Sequence, residues 1–356
     1  MSKSAFYTIS LVGIVLFASA CAAAGEPNPA SPRGYAEASA FEINKFINRG
    51  VNIGNALEAP VEGEWGVTVK EQYFNIIRDA DFNSIRLPVC WSAHALNGKP
   101  YTIDPNFFKR IDWVVLEAIQ REVVVILNMH HYRALYRDPA GQKERFLALW
   151  NQIAQRYKDY PVTLVFELLN EPEGNLKAAE WNAMLKEALN VVRRSNPTRM
   201  VVIGPVNYND IRLLNTLELP KDDRNIIVTA HYYLPFQFTH QGAEWVGGTV
   251  SNSWLGTKWT GTDEEKQAII KDFDAAAAWA KENNRPIYIG EFGAYSKADM
   301  DSRARWTKFV ADTAIEHGFS FTYWEFCAEQ FGLYDPNANS FRKPLLEALI
   351  PPKKGH

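Results

Sequence analysis

A single (β/α)8 TIM barrel, an α/β fold, is what this sequence predicts, on three observations. Eight short β-rich runs alternate with helical patterns from residue 46 onward. The runs read as strands buried on both faces, each followed by a helix, and such strands make a parallel sheet. Eight such units in about 310 residues suit one closed barrel better than two doubly wound domains. Gly50 in the first run and Gly54 after it also do not form the glycine fingerprint of a dinucleotide-binding sheet.

In order, the predicted strands span 48–52, 84–87, 123–128, 164–169, 200–203, 226–230, 287–290 and 320–324. Between them, apolar residues recur at helical spacing, as in Phe107, Ile111, Val115 and Ile119, or Phe146, Leu149, Trp150, Ile153 and Tyr157. Thr68 with Glu71, and Thr262 with Glu265, have the form of capping boxes, and Asp104-Pro105 supplies a cap and a first-turn proline. Residues 343–350 read as the closing helix, so the barrel is expected to run over 41–351 with a basic tail at 352–356 and no appended binding module.

Ahead of the barrel, residues 1–24 have the pattern of a secretory signal: Lys3, an apolar run from Ala5 to Ala20, then small residues. Two cleavage readings stand, one after Ala18-Ser19-Ala20 and one at Ala20-Cys21 with the thiol lipidated; an uncleaved anchor is the third. These predict a secreted protein, or a lipoprotein of the outer surface or periplasm, with membrane contact only through this end. Residues 25–40, rich in proline and serine, read as a flexible tether.

The charge is near balance, 38 basic against 41 acidic side chains. Nucleic-acid binders carry a basic excess, so no nucleic acid is expected as a partner. Nor does the sequence imply a protein partner. Cys90 follows the second predicted strand and Cys327 the eighth. Next-nearest strands lie ~9 to 10 Å apart, beyond the ~7 Å Cα limit for a disulfide, which predicts free thiols.

In a barrel the carboxyl ends of the strands converge on one face. The residues there are Asn52 and Asn55, Arg86, His130 and His131, Asn170 and Glu171, Asn207 and Tyr208, His231 and Tyr233, Glu291, and Trp324 with Glu325. Polar groups gathered at one end of an apolar barrel are costly to bury, which marks a site. Glu171 ends strand 4 in Asn170-Glu171-Pro172, and Glu291 ends strand 7 in Gly290-Glu291-Phe292-Gly293. Two carboxylates facing each other across the mouth suit glycosidic cleavage, one protonating the leaving oxygen while the other attacks or activates water. A metal centre on His130, His131 and His231 is not expected, because no His-x-His follows strand 1 and no aspartate ends strand 8.

Several segments together carry a family resemblance: residues 49–58, Ile85-Arg86-Leu87-Pro88, Asn128-Met129-His130-His131-Tyr132, residues 167–172, His231-Tyr232-Tyr233, residues 239–246 and residues 288–295. From about 41 to 351 the sequence resembles glycoside hydrolase family 5, specifically bacterial endo-β-1,4-glucanases (cellulases) that also accept mannan. The resemblance implies a retaining double displacement on a β-1,4-linked polysaccharide, with Glu171 as acid/base, Glu291 as nucleophile and no cofactor. Its supporting positions fall on Arg86, His130, Asn170, His231, Tyr233 and Trp324.

Retention requires the carboxyl groups ~5 to 5.5 Å apart. Glu171 should then start protonated, through partial burial and the nearby anionic Glu291, while Arg86 and the Tyr233 hydroxyl hold one oxygen of an ionised Glu291 and the other attacks. Asn170 is placed for the sugar 2-hydroxyl, and His130 and His231 for orientation. Trp324 offers a platform for a pyranose face. Asn55, Glu58 and His131 are candidates for sugar hydroxyls, and Trp245 for the wall built by the long segment 235–261, where Trp254 and Trp259 are open between ligand and packing roles. Trp113, Trp150, Trp181, Trp279 and Trp306 fall in helical patterns and are expected to pack. Mannan as principal substrate, or a non-catalytic carbohydrate-binding barrel, are the competing readings.

Overall fold

The computed structural model describes residues 38–352. The predicted signal at 1–24 with Cys21, the tether up to residue 37, and residues 353–356 of the tail lie outside the described residues. Eight strands close into a barrel in chain order: β1 (Arg49–Asn52), β2 (Ser84–Leu87), β3 (Val124–Asn128), β4 (Leu164–Glu167), β5 (Val201–Ile203), β6 (Ile226–Tyr232), β7 (Ile287–Phe292) and β8 (Ser320–Tyr323). Every neighbouring pair is parallel, and β8 returns to β1. This is the (β/α)8 barrel that the alternation predicts.

Two strand ends differ from expectation where the site lies. β4 stops at Glu167, two residues early, and the chain reaches Glu171 in a left-handed conformation with φ 45°. β6 and β7 each run two residues longer, and their register slips between Ala230 and His231, so that His231 pairs with Glu291. A bulge re-aims a side chain. Here it sets the histidine beside the strand-7 glutamate.

Helix starts follow the sequence in part. Thr262 and Glu265 form the expected capping box, and Asp104 accepts from the Asn106 amide. Thr68 does not cap: the helix Glu71–Asp79 starts at Lys70 with no side-chain cap. Instead Glu62, from the first βα loop, accepts the Val69 amide and grips Arg110 through both oxygens, so the entry is fixed by a long-range carboxylate. At the amino end, Ser39 and Glu42 make a capping box for the helix Ala40–Ile47, so these first residues belong to the fold and not to the tether.

That first helix closes the barrel floor. Ile43 and Ile47 pack with Val124, Ile126, Val165, Val202, Ile227 and Tyr288. Asn44 ties it down, donating to the Ile287 carbonyl and accepting from Ser320 Oγ. Inward-facing residues alternate along a strand. Moving up from this apolar layer, the next inward positions are Asn52, Arg86, Asn128, Glu167, Thr229 and Thr322, all fully buried. Buried polar groups need partners, and the upper barrel is therefore a hydrogen-bonded network beneath the mouth.

Indole N–H groups fix the loops above. Trp91 donates to the Asn128 carbonyl, Trp150 to Leu168, Trp181 to Gly204 and Trp306 to Leu234, each just at or past the end of β3, β4, β5 or β6. On the opposite face, the buried Arg199 guanidinium donates to the carbonyls of Tyr157, Tyr160, Pro161 and Leu164. Arg199→Leu strands these acceptors at ~1 kcal/mol or more each. We expect it to lower the unfolding free energy by about 3 kcal/mol, read from the urea midpoint; an unchanged midpoint would contradict this.

Candidate active site

The carboxyl ends of the strands surround an open cleft of about 1150 Å3. Ten of the predicted residues line it: Asn55, Glu58, His130, His131, Glu171, His231, Tyr233, Trp245, Glu291 and Trp324. Arg86 and Asn170 lie beneath, 0% and 3% exposed. The structure thus brings the whole predicted set to one face, in two tiers.

Arg86 organises the lower tier. Its Nη1 donates to Glu291 Oε1 at 2.6 Å and to Asn52 Oδ1 at 3.0 Å. Its Nη2 reaches Asn170 Oδ1 at 2.6 Å, and Nε and Nη2 together hold Glu167 at 2.6 and 2.7 Å. The Tyr233 hydroxyl donates to Glu291 Oε2 at 3.0 Å. Arg86 and Tyr233 therefore hold different oxygens of Glu291, not the same one as the sequence suggested. The reason is that Glu167 takes the bidentate edge of the guanidinium and leaves one N–H for Glu291.

Glu171 faces Glu291 from the end of β4, and one oxygen of each lies within 4.8 Å of the other. Burial pushes the Glu171 carboxyl up to about 8; Arg86 opposes this, and the carboxylates of Glu173 and Glu167 add to it. Glu291 is also raised by burial, with His231 and Arg86 pulling it down and Glu171 pushing it up. Two carboxyls this close titrate as a pair.

His231 bridges them. Its Nδ1 lies 2.7 Å from Glu171 Oε1 and 3.6 Å from Glu291 Oε2, and its Nε2 meets Asn209 Nδ2 at 3.2 Å. Burial lowers its pKa to about 4, so the ring is neutral near pH 7. An amide NH2 can only donate, which makes Nε2 the acceptor and Nδ1 the protonated nitrogen. Burial likewise holds His130 well below the usual imidazole range, with His131 and Arg86 adding to it. His130 Nδ1 contacts Asn128 Oδ1 at 2.8 Å, and its ring stacks on Trp324 at 5.8 Å. Both histidines thus contact neighbouring side chains of the site through their ring nitrogens.

Along the cleft, Trp324 presents its indole on the His130 side, while Trp245, 58% exposed, stands on the 235–261 segment against Tyr295 and Phe331. In that segment Trp259 is fully buried against Phe309 and belongs to packing, whereas Trp254 packs edge-on against Phe236. Glu58 lines the cleft with its carboxylate on the Asn55 and Ala56 amides, and burial raises it to about 7. Asn55 reaches Gln330 Oε1 at 3.2 Å. Cys90 and Cys327 are buried free thiols.

Among the described residues, Glu171, His231 and Glu291 are the group with metal-ligand spacing. His130 and His131 pair edge-on with each other instead, at 4.5 Å.

A family model described as Cellulase (glycosyl hydrolase family 5) matches residues 46–330, across all eight strands. The chain belongs to glycosyl hydrolase family 5. Among curated relatives, Endoglucanase H of Acetivibrio thermocellus is 36% identical over 317 residues, covering 88% of this chain and 34% of that protein. Cellulase/esterase CelE of the same organism is 29% identical, covering 85% of this chain and 38% of its own length. The chain thus spans about a third of these two curated relatives. Among solved structures, Thermotoga maritima Cel5A in complex with mannotriose is 52% identical with a TM-score of 0.85, covering 87% of this chain and all of that one. The same enzyme with cellobiose matches equally.

Glu167 and Asn209, which hold Arg86 and His231, were not singled out. Both are buried, and both act through partners 81 and 22 residues away in sequence. Trp65, packed edge-on to His131 at 5.5 Å, lines the cleft from a first βα loop with no periodic pattern. Asn207, Tyr208 and Asn209 are three consecutive left-handed residues, a conformation that asparagine tolerates better than most.

Proposed function

We propose that this protein is a retaining endo-β-1,4-glucanase that cleaves internal bonds of cellulose-type β-glucans and also accepts mannan or glucomannan. The observation that carries the reading is the carboxyl pair. The nearest oxygens of Glu171 and Glu291 lie within 4.8 Å, which supports the short carboxyl separation of a retaining pair over the ~6.5 to 9.5 Å that seats a water in an inverting one. Names of relatives such as Endoglucanase H, and solved complexes of Cel5A with cellobiose and with mannotriose, support the substrate class.

In this reading Glu171 is the acid/base. The His231 Nδ1–H occupies Oε1, so Oε2 carries the proton toward the leaving oxygen. Glu291 attacks the anomeric carbon through Oε2, which keeps a lone pair beside the Tyr233 hydrogen bond, while Arg86 holds Oε1. A covalent glycosyl-enzyme forms. Glu171, now ionised, takes a proton from water, which attacks the same carbon and releases Glu291. The Oδ1 of Asn170 is held by Arg86, so its Nδ2 donates to the sugar 2-hydroxyl, a bond that strengthens as positive charge develops on the ring. Trp324 and Trp245 supply apolar faces for pyranose rings, and Asn55, Glu58 and His131 supply hydrogen bonds for hydroxyls.

Parallel assays on carboxymethylcellulose, glucomannan and galactomannan test this. We expect the viscosity of carboxymethylcellulose to fall well before reducing ends accumulate, glucomannan to be cleaved at a comparable rate, galactomannan more slowly, and none of these rates to change with EDTA. Hydrolysis of galactomannan alone would move the reading to a mannanase. For residues 1–24, the same reading is of an exported protein, free or lipidated at Cys21. Metabolic labelling with a radioactive fatty acid separates the two outcomes.

A further inference from the structure

Glu167 is fully buried at the end of β4, and none of the steps above uses it. A guanidinium presents five N–H donors in a fixed plane. All five of Arg86 are spoken for: Nε and one Nη2 hydrogen on Glu167, the other Nη2 hydrogen on Asn170, and the two Nη1 hydrogens on Glu291 and Asn52. The bidentate edge is the strongest grip a carboxylate can take on arginine. In this site it belongs to Glu167 and not to Glu291.

We infer that Glu167 is a positioning residue, the clamp and permanent counter-ion of Arg86, which directs a single N–H onto Glu291 and keeps Arg86 neutralised through the whole reaction cycle. The inference rests on the roles given above to Glu171 and Glu291. Were Arg86 free to turn its edge to Glu291, both oxygens would be gripped and the attacking lone pair lost. In the glycosyl-enzyme, Glu291 is an uncharged ester. An arginine whose only counter-ion was Glu291 would then be a buried unpaired charge, which costs several kcal/mol. With Glu167 in place the Arg86–Glu167 pair is neutral before, during and after that step.

The charge also reaches the titrating pair. Facing it are Arg86 from β2, His130 past β3, Glu171 with Glu173 past β4, Tyr208 past β5, His231 and Tyr233 from the end of β6, and Tyr288 with Glu291 from β7; Tyr136 and Glu58 approach from the loop side. Beside these, Glu167 from β4 acts on Glu171 and on His231 to favour the protonated form. Removing a negative charge makes protonation of its neighbours harder, so both limbs of the pH profile must move to lower pH.

The test is the pH dependence of kcat/KM for Glu167→Gln and Glu167→Asp on an aryl cellobioside, with Glu291→Ala as control and thermal melts confirming folding. Glu167→Gln should shift both limbs down by about one unit and lower kcat ~10- to 100-fold. Glu167→Asp keeps the charge but shortens the reach, so its limbs should stay in place while kcat falls about 10-fold. A Glu167→Gln profile lower at every pH with unmoved limbs would overturn the counter-ion role. If Glu167→Gln does not fold, Glu167→Asp decides: wild-type kcat there overturns the clamp. Turnover by Glu291→Ala would refute the mechanism itself, whereas unmoved limbs beside an inactive Glu291→Ala refute only the role of Glu167.

Discussion

Glu291→Ala is expected to lower kcat on carboxymethylcellulose by about 10^4-fold or more, while cello-oligosaccharide binding survives. Nucleophile removal in enzymes of covalent mechanism costs on this scale because no other group forms the intermediate. Binding survives because Trp324, Trp245, Asn55 and Asn170 line or underlie the cleft independently of the Glu291 carboxylate. Calorimetric titration of the variant with cellotetraose checks the second half. Azide, a small anion that fits the space left by the carboxylate, should restore turnover and give a glycosyl azide of α configuration, since it attacks from the face Glu291 occupied. Retained hydrolysis without azide would remove Glu291 from the role of nucleophile.

Glu171→Gln carries the second large effect, and its size should depend on the leaving group. With a sugar as leaving group, protonation is needed and kcat should fall about 10^2- to 10^4-fold. With a 2,4-dinitrophenyl leaving group, which departs unprotonated, glycosylation should be nearly normal and the slow step should become hydrolysis of the intermediate. A burst of phenolate would reveal it. The pH profile moves as well. The wild-type Glu171 carboxyl is raised by burial to about 8 and must be protonated at the start, so the alkaline limb should fall through about pH 8. Its folded-state value lies above the ordinary carboxylate value of 4.5, so the group favours the folded state only at pH values low enough to keep it protonated, and that contribution is lost as pH rises through about 8. In Glu171→Gln the alkaline limb should vanish. Persistence of the limb would assign it to another group.

The barrel was legible because its strands are apolar on both faces and regularly spaced, and each of the eight lies within two residues of its predicted bounds. Glu171 and Glu291 were legible for a chemical reason: each follows a buried strand, and strands 4 and 7 set the two carboxylates facing each other across the barrel mouth. What sequence hid was pairing. Glu167 alternates with Val165 on the inner face of β4 and reads as part of an apolar strand until β2 brings Arg86 beside it. The Thr68 cap failed for the same kind of reason, because Glu62 reaches Val69 and Arg110 from a loop whose path no local pattern encodes. Trp254 and Trp259 look alike in sequence, yet only burial assigns Trp259 to packing. Even the arrangement at Glu291, with Arg86 on one oxygen and Tyr233 on the other, depends on which carboxylate wins the bidentate edge of Arg86, a contest among residues on three strands.

The central claim is retention through a covalent intermediate on Glu291, and the stereochemistry of the first product tests it most directly. Proton NMR of a cello-oligosaccharide digest, recorded before mutarotation, should show the new reducing end appearing as the β-anomer and converting only later to the α-anomer. Initial appearance of the α-anomer would mean single inversion by water and would contradict the assignment of Glu291 as nucleophile.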